Sequence, residues 1–357
     1  MQSRDTDRQD GPSRLDRRTL LRHATAGAAG IAALSAGELL ASAPASAKAA
    51  AATPPLTAEE MAAVDAAMGK KGKYAAAEAT YTVALPRADL KVTVQGKPVP
   101  TGLGFGGWVS VKRTLDGKSA VLMSDTVLLM EEVNPLIDAA HRNGLDVGAI
   151  HNHFFYEEPR IFYMHLHAMG QPTELIQKYA AAIKETKLFP ANQPPAGPPP
   201  AKTAREIFDL PALDKIVGAT GAVNGTTYKY TIGRPDLTVT AMGAEMTPAI
   251  GLNTWMTLAG TPEEAHAAGD VAMLGPEVNP VIEVLRKSGI EVVAVHHHMI
   301  GDDPHIIFLH YYGTGPAVKL ATGFRAALDQ LGKHGGDAAM GGMNRAATPS
   351  PSTATRI

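Results

Sequence analysis

Two places in the 357-residue chain space histidines for chemistry. The first reads Ala149-Ile150-His151-Asn152-His153 and is followed by Glu157-Glu158-Pro159. The second reads Ala294-Val295-His296-His297-His298 and is followed by Asp302-Asp303-Pro304. Residues i and i+2 of a strand face the same way, so each His-x-His pair aims two imidazoles at one point. A carboxylate follows four residues later, from Glu157 or Asp302, and His165 or His310 stands on the next strand. Two or three imidazoles with one carboxylate suit a borderline divalent ion (Zn, Fe, Mn, Ni or Cu) without any thiolate. The expected ligands are therefore His151, His153, Glu157 and His165, then His296, His298, Asp302 and His310. Glu158 and Asp303 are candidate general bases should the ion activate water. A tight turn over 155–158 would leave His165 near Gly148, so meeting His151 requires a longer or bulged connection.

The composition narrows the alternatives. There is no cysteine, which removes disulfides, iron–sulfur clusters, thiolate zinc sites and cysteine nucleophiles together. A net charge of −2 argues against a broad electrostatic grip on nucleic acid or on an anionic membrane. Met123, Met130, Met164 and Met273 sit in apolar runs and read as core rather than as copper ligands. The Gly102–Gly107 run lacks the Lys and the following helix of a phosphate loop, and reads as a bulged strand or a close approach.

The histidine segments belong to a duplication. Glu132-Val133-Asn134-Pro135 recurs as Glu277-Val278-Asn279-Pro280, and at that offset of 145 residues the segments 132–170 and 277–315 share 14 of 39 positions without a gap. Upstream, at an offset of 147, Arg87-Ala88-Asp89-Leu90 matches Arg234-Pro235-Asp236-Leu237, and Trp108 matches Trp255. The three histidine positions match in both copies while the neighbours Asn152/His297, Phe154/Met299 and His167/Tyr312 differ.

Each unit reads as α-β-β-β-β-α-β-β-α. A short helix near 57–69 precedes strands at 79–85, 91–94, 108–111 and 120–129. Asn134-Pro135 is the expected start of a helix, with Asn as N-cap and Pro at the first position, ending at Asn143-Gly144. Strands at 145–153 and 160–168 and a helix over 172–187 complete the unit. Tight turns join most strands, so the fold class is α+β: two tandem units with mainly antiparallel or mixed sheets, related by a pseudo-two-fold.

The flanks have their own signals. Asp16-Arg17-Arg18-Thr19-Leu20-Leu21, a small-residue apolar run and Ala45-Ser46-Ala47 have the order of a twin-arginine signal peptide over 1–47. Cleavage there would remove six Arg and five acids, leaving a net charge of −3. The expected organisation continues with repeat unit 1 over 48–187, a Pro-rich linker over 188–204, repeat unit 2 over 205–332 and a disordered tail over 333–357. The mature protein is expected outside the cytoplasmic membrane, periplasmic or secreted, without a membrane anchor. Its expected partners are a metal ion and a small-molecule ligand, and no nucleic acid.

Taken together, Glu-Val-Asn-Pro, the helix and strand after it, His-Asn-His, Glu-Glu-Pro-Arg and the later His resemble the LppY/LpqO family of exported bacterial proteins. The resemblance covers about residues 57 to 332 and implies the tandem architecture and export. The chain lacks the lipobox Cys of the family's lipoprotein members, and its second copy departs at His296-His297-His298 and Asp302-Asp303-Pro304-His305. The resemblance implies no activity. Three functions stay open from the residues: a metal-binding protein, a metal-dependent hydrolase or oxygenase, and a cell-envelope interaction module whose histidines are core.

Overall fold

The computed structural model describes residues 53–195 and 199–333. The expected signal peptide and most of the expected C-terminal tail lie outside the described residues.

The first repeat runs α1 (Ala58–Met68), β1 (Lys73–Ala75), β2 (Thr80–Pro86), β3 (Val92–Val94), β4 (Lys97–Val99), β5 (Gly106–Arg113) and β6 (Ala120–Leu129). It continues with α2 (Met130–Arg142), β7 (Asp146–His151), β8 (Glu157–Glu158), β9 (Ile161–Gly170) and α3 (Pro172–Ile183). The second repeat runs α4 (Ala204–Ile207), α5 (Leu210–Val217), β10 (Ala222–Asn224), β11 (Thr227–Ile232), β12 (Val239–Ala241), β13 (Ala244–Met246) and β14 (Thr254–Gly260). It ends with β15 (Ala265–Met273), α6 (Val278–Lys287), β16 (Glu291–His296), β17 (Ile307–Gly315) and α7 (Ala317–Leu328). Both repeats build one six-stranded sheet of the same order, β1-β2-β5-β6-β9-β7 and β10-β11-β14-β15-β17-β16. Every neighbouring pair in them is antiparallel. The α+β class and the tandem plan are those expected.

Strand alternation assigns the two faces of each sheet. In the first repeat Leu122 and Leu128 of β6 join Met164 and Leu166 of β9 under Val64 of α1, Leu136 of α2 and Tyr179 of α3. The opposite face, with Val121, Met123 and Val127 of β6, packs against residues of the second repeat such as Phe308, Met246 and Tyr312. The central strands are therefore covered on both sides, which is why Ala120–Leu129 reads as a nearly continuous apolar run rather than an alternating one. Helices lie outside, two sheets lie inside, and the seam between the repeats is a packed interior.

One boundary differs from expectation. Helix α2 starts at Met130, so Asn134 and Pro135 fall inside it rather than at its cap. The cause is Glu132, whose carboxylate accepts the Leu129 amide at 2.8 Å and the buried Arg87 guanidinium at 2.7 Å. Glu277 does the same for Leu274 N at 2.8 Å and Arg234 at 2.7 Å. The carboxylate satisfies an otherwise unpaired first-turn N–H and the guanidinium makes its burial tolerable. The Glu of the Glu-Val-Asn-Pro motif is thus a helix-start device, and the Arg of the upstream motif is its counter-ion.

Candidate metal centre

Six strands carry the site, three from each repeat. In β6–β9 pairing Asp125 lies directly opposite His165, and in β15–β17 pairing Asp270 lies opposite His310. Strands β7 and β16 occupy the sheet edges and end on His151 and His296, with His153 and His298 just beyond. A register shift between Val147 and Ala149 places Ala149, not Gly148, opposite His165, and the matching shift places Ala294 opposite His310. With that bulge and a connection of nine residues between β7 and β9, His165 faces the same side as His151. Their Nε2 atoms are 2.9 Å apart.

The inner faces of the two sheets then bring both sets of histidines into one cluster. His151 stacks on its repeat mate His296 with ring centroids 3.8 Å apart. The crossed pairs His153–His310 and His165–His298 stand at 3.6 and 4.2 Å. This is the pattern of a pseudo-two-fold axis passing between His151 and His296. Tyr163 and Phe308, again repeat mates, stack on His153 at 3.3 Å and on His298 at 3.5 Å and wall the cluster.

Backbone carbonyls set the tautomers. A carbonyl can only accept, so Nδ1–H donates from His165 to Ser124 O (3.2 Å), from His310 to Gly269 O (3.1 Å) and from His298 to Gly251 O (3.2 Å). His296 Nδ1 likewise donates to His297 O at 3.2 Å. Each of these four rings therefore turns an Nε2 lone pair into the cluster, the arrangement seen when a second partner orients a metal-ligating imidazole. Neither oxygen of Asp270, only 1% exposed, makes a well-formed hydrogen bond among the described residues, though the backbone N–H groups of Val271 and Leu309 lie near enough to favour its charged form. Its Oδ2 lies 3.2 Å from His298 Nε2 and 3.7 Å from His310 Nε2. Three acceptors converging in a dry interior repel one another unless a positive charge sits among them. Further unpaired buried atoms are His151 Nδ1, both ring nitrogens of His153, His296 Nε2 and Asp125 Oδ1.

Three overlapping sets of side chains can hold an ion: Asp270 with His296, His298 and His310; His151 with His153 and His310; His151 with His165 and His296. Each set has all its donor atoms within 4.8 Å of one another, and each of the two histidine-only sets mixes residues of both repeats. Burial keeps the imidazoles neutral, the form that binds metal: it draws His151, His153, His165 and His310 well below the usual histidine value, and His296 and His298 down to about 3. Burial pushes Asp270 up to about 6, and burial with the Asp270 charge pushes Asp125 upward too.

Of the expected ligands, the structure brings the six histidines together and leaves Glu157 and Asp302 apart from them. The Glu157 carboxylate accepts Ile161 N at 3.3 Å and Arg160 Nη1 at 3.2 Å; Asp302 accepts Ile306 N at 2.7 Å and His305 Nδ1 at 2.9 Å. Both close the loop behind the His-x-His pair, because a carboxylate just before a strand finds unpaired backbone N–H groups there. Glu158 and Asp303 are exposed and pair through their backbones with Thr93 and Thr240, away from the imidazoles. The acids that do reach the cluster, Asp125 and Asp270, lie upstream of the motif. Their signal was a carboxylate at the same place in both copies, at the offset of 145, within otherwise apolar strands.

A family described as "Domain of Unknown Function (DUF1259)" matches residues 62–185 and 211–330, once per repeat. No curated protein gives a significant match. Among solved structures, the trimeric bacterial microcompartment shell protein PduB shares 13% identity over 74% of this chain and 93% of its own, with a TM-score of 0.20. The double-ringed trimeric shell protein of the RMM microcompartment shares 11% over 70% and 93%, with a TM-score of 0.18. EtuB from Clostridium kluyveri shares 11% over 72% and 89%, with a TM-score of 0.17. Similarity that low carries no structural argument.

Proposed function

The chain belongs to the family described as "Domain of Unknown Function (DUF1259)", and from that premise we propose that its two repeats jointly hold a divalent transition metal. The observation that carries this reading is the convergence of the Asp270 carboxylate and the His298 and His310 Nε2 lone pairs, with no side-chain donor paired to them among the described residues. A cation placed there satisfies all three, and nitrogen and oxygen donors without sulfur suit Zn, Fe, Mn, Ni or Cu. The centre is one shared site and not one site per repeat, since His151, His296 and His310 each belong to two of the candidate sets. The LppY/LpqO resemblance and the paired Arg17-Arg18 leader add that the protein is exported through the twin-arginine route, which carries folded chains with their metal already in place.

Elemental analysis of natively produced protein tests the reading. The wild type carries stoichiometric metal, and His151→Ala/His153→Ala and His296→Ala/His298→Ala each remove nearly all of it. Metal at background in the wild type would sink the proposal, and half-loss in each double variant would replace one shared centre by two.

A further inference from the structure

Beside the imidazole cluster the two inner sheet faces part to form a half-open chamber of about 730 Å³, within the range of small-molecule sites. Its walls come from β2 and β5 of the first repeat and β11 and β14 of the second, and it reaches His153 and Asp125. Both tryptophans of the chain line it: Trp108 and Trp255, half-buried at repeat-equivalent positions. The Trp255 ring lies 6.1 Å from His153 and 6.2 Å from His310, so it spans from the chamber to the cluster.

Among the equivalent pairs at which the pseudo-symmetry breaks, one changes charge. Thr82 in the first repeat is occupied with Ser110 Oγ at 2.7 Å and Ala249 O at 3.2 Å. Its mate in the second repeat is Lys229, the one cationic side chain lining the chamber among the described residues. Lys229 stands on β11 between Tyr228 and Tyr230, whose rings go to the helix side, and its Nζ sits 4.5 Å over the Trp255 ring. The side chain is open to the chamber yet surrounded by protein, so burial lowers its pKa. Asp125 and Asp270 act on it only as charges at a distance, not as hydrogen-bond partners.

An ammonium over an indole, exposed to the chamber with its donors turned to open volume, is half of a binding pair. We propose that the chamber binds a small organic carboxylate, its acid group on Lys229 Nζ and its body between the Trp108 and Trp255 indoles, beside the histidine centre. One ammonium balances one negative charge. A phosphate dianion would leave excess charge in a confined space that already holds Asp125 and faces Asp270. This ligand site deepens the metal-centre reading, which it takes as the neighbour at its inner end.

Because both tryptophans line the chamber, intrinsic fluorescence of the full chain reports its contents. The probes are phenylacetate, hexanoate and pyruvate, with phenylacetamide as the neutral isostere of the first and phenyl phosphate as the dianion. At least one carboxylate gives a saturable change; the amide and the phosphate bind about tenfold or more weaker. Lys229→Thr, which installs the residue the other repeat already holds, weakens the carboxylate about as much while leaving metal content unchanged. The proposal is overturned if no carboxylate saturates, if phenylacetamide or phenyl phosphate binds as tightly as the best carboxylate, or if Lys229→Thr binds like wild type. Metal retained without carboxylate binding refutes the chamber alone. Carboxylate binding in a protein with no metal refutes the centre alone.

Discussion

At the scale of single residues, the site is a set of groups kept in an uncomfortable place. Six imidazoles are held neutral by burial, His296 and His298 down to about 3. In the unfolded chain they would titrate near 6.5. As pH falls through that value the unfolded state takes up protons that the metal-free folded state refuses, so folding stability declines from about pH 6.5 downward. Asp125 and Asp270 act in the opposite sense: burial raises both, Asp270 to about 6, so their ionisation costs stability at neutral pH and acidification relieves it. Six groups outweigh two. Chelator-treated protein should therefore melt at a lower temperature at about pH 5 than at about pH 7, and a melting point that holds or rises over that interval would contradict the burial of neutral histidines. The His-x-His pairs were legible from spacing alone. The acids were not, because a carboxylate four residues from a histidine is near it in sequence, while Asp125 is near His165 only through cross-strand pairing.

At the scale of elements, the two sheets are the same design filled differently. Ser124 pairs with Leu166 across β6 and β9, and the equivalent pair across β15 and β17 is Gly269 with Tyr311. A Cβ added to Gly269 would lie 2.3 Å from the Trp255 carbonyl oxygen and 2.2 Å from the Tyr311 hydroxyl. The larger tyrosine has taken the space that a side chain occupies in the first repeat. Gly269→Ser should thus destabilise the protein by about 1–3 kcal/mol through overpacking. The double variant Gly269→Ser/Tyr311→Leu, which copies the first repeat, should recover the part of that loss that comes from the Tyr311 ring and leave the part that comes from the Trp255 carbonyl, since residues in direct contact do not add independently. Chemical denaturation of the two variants checks it: equal loss in both would mean that the pair is not coupled. Helix and strand order followed from pattern in the sequence, whereas the start of α2 did not. Asn-Pro has the chemistry of a helix start, and the Glu132–Arg87 pair placed the start five residues earlier through a contact 45 residues away.

At the scale of the whole molecule, the repeats share an interior. Val121 and Met123 of one lie in a common cluster with Met246, Ile250 and Phe308 of the other, and the histidines lie in the same seam. An ion bound by both repeats cross-links them, and a ligand that binds only the folded state stabilises it by mass action, about 2.7 kcal/mol at a hundredfold excess over Kd. Removal of metal should lower the melting temperature of the whole chain in a single transition, restored by adding the ion back. Melting that ignores a chelator would argue that no ion bridges the seam.

The sequence by itself determined the repeat, the α+β class and the six histidines, because periodicity, turn chemistry and internal identity are local or self-comparing signals. Only the tertiary structure decided that His151, His153 and His165 meet His296, His298 and His310 in one cluster, that Asp125 and Asp270 are the acids beside them, and that Glu157 and Asp302 close loops instead. The physical reason is that each sheet has two apolar faces, one for its own helices and one for its twin. Which residues of one repeat oppose which of the other depends on how those inner faces pack, and no spacing along the chain records it.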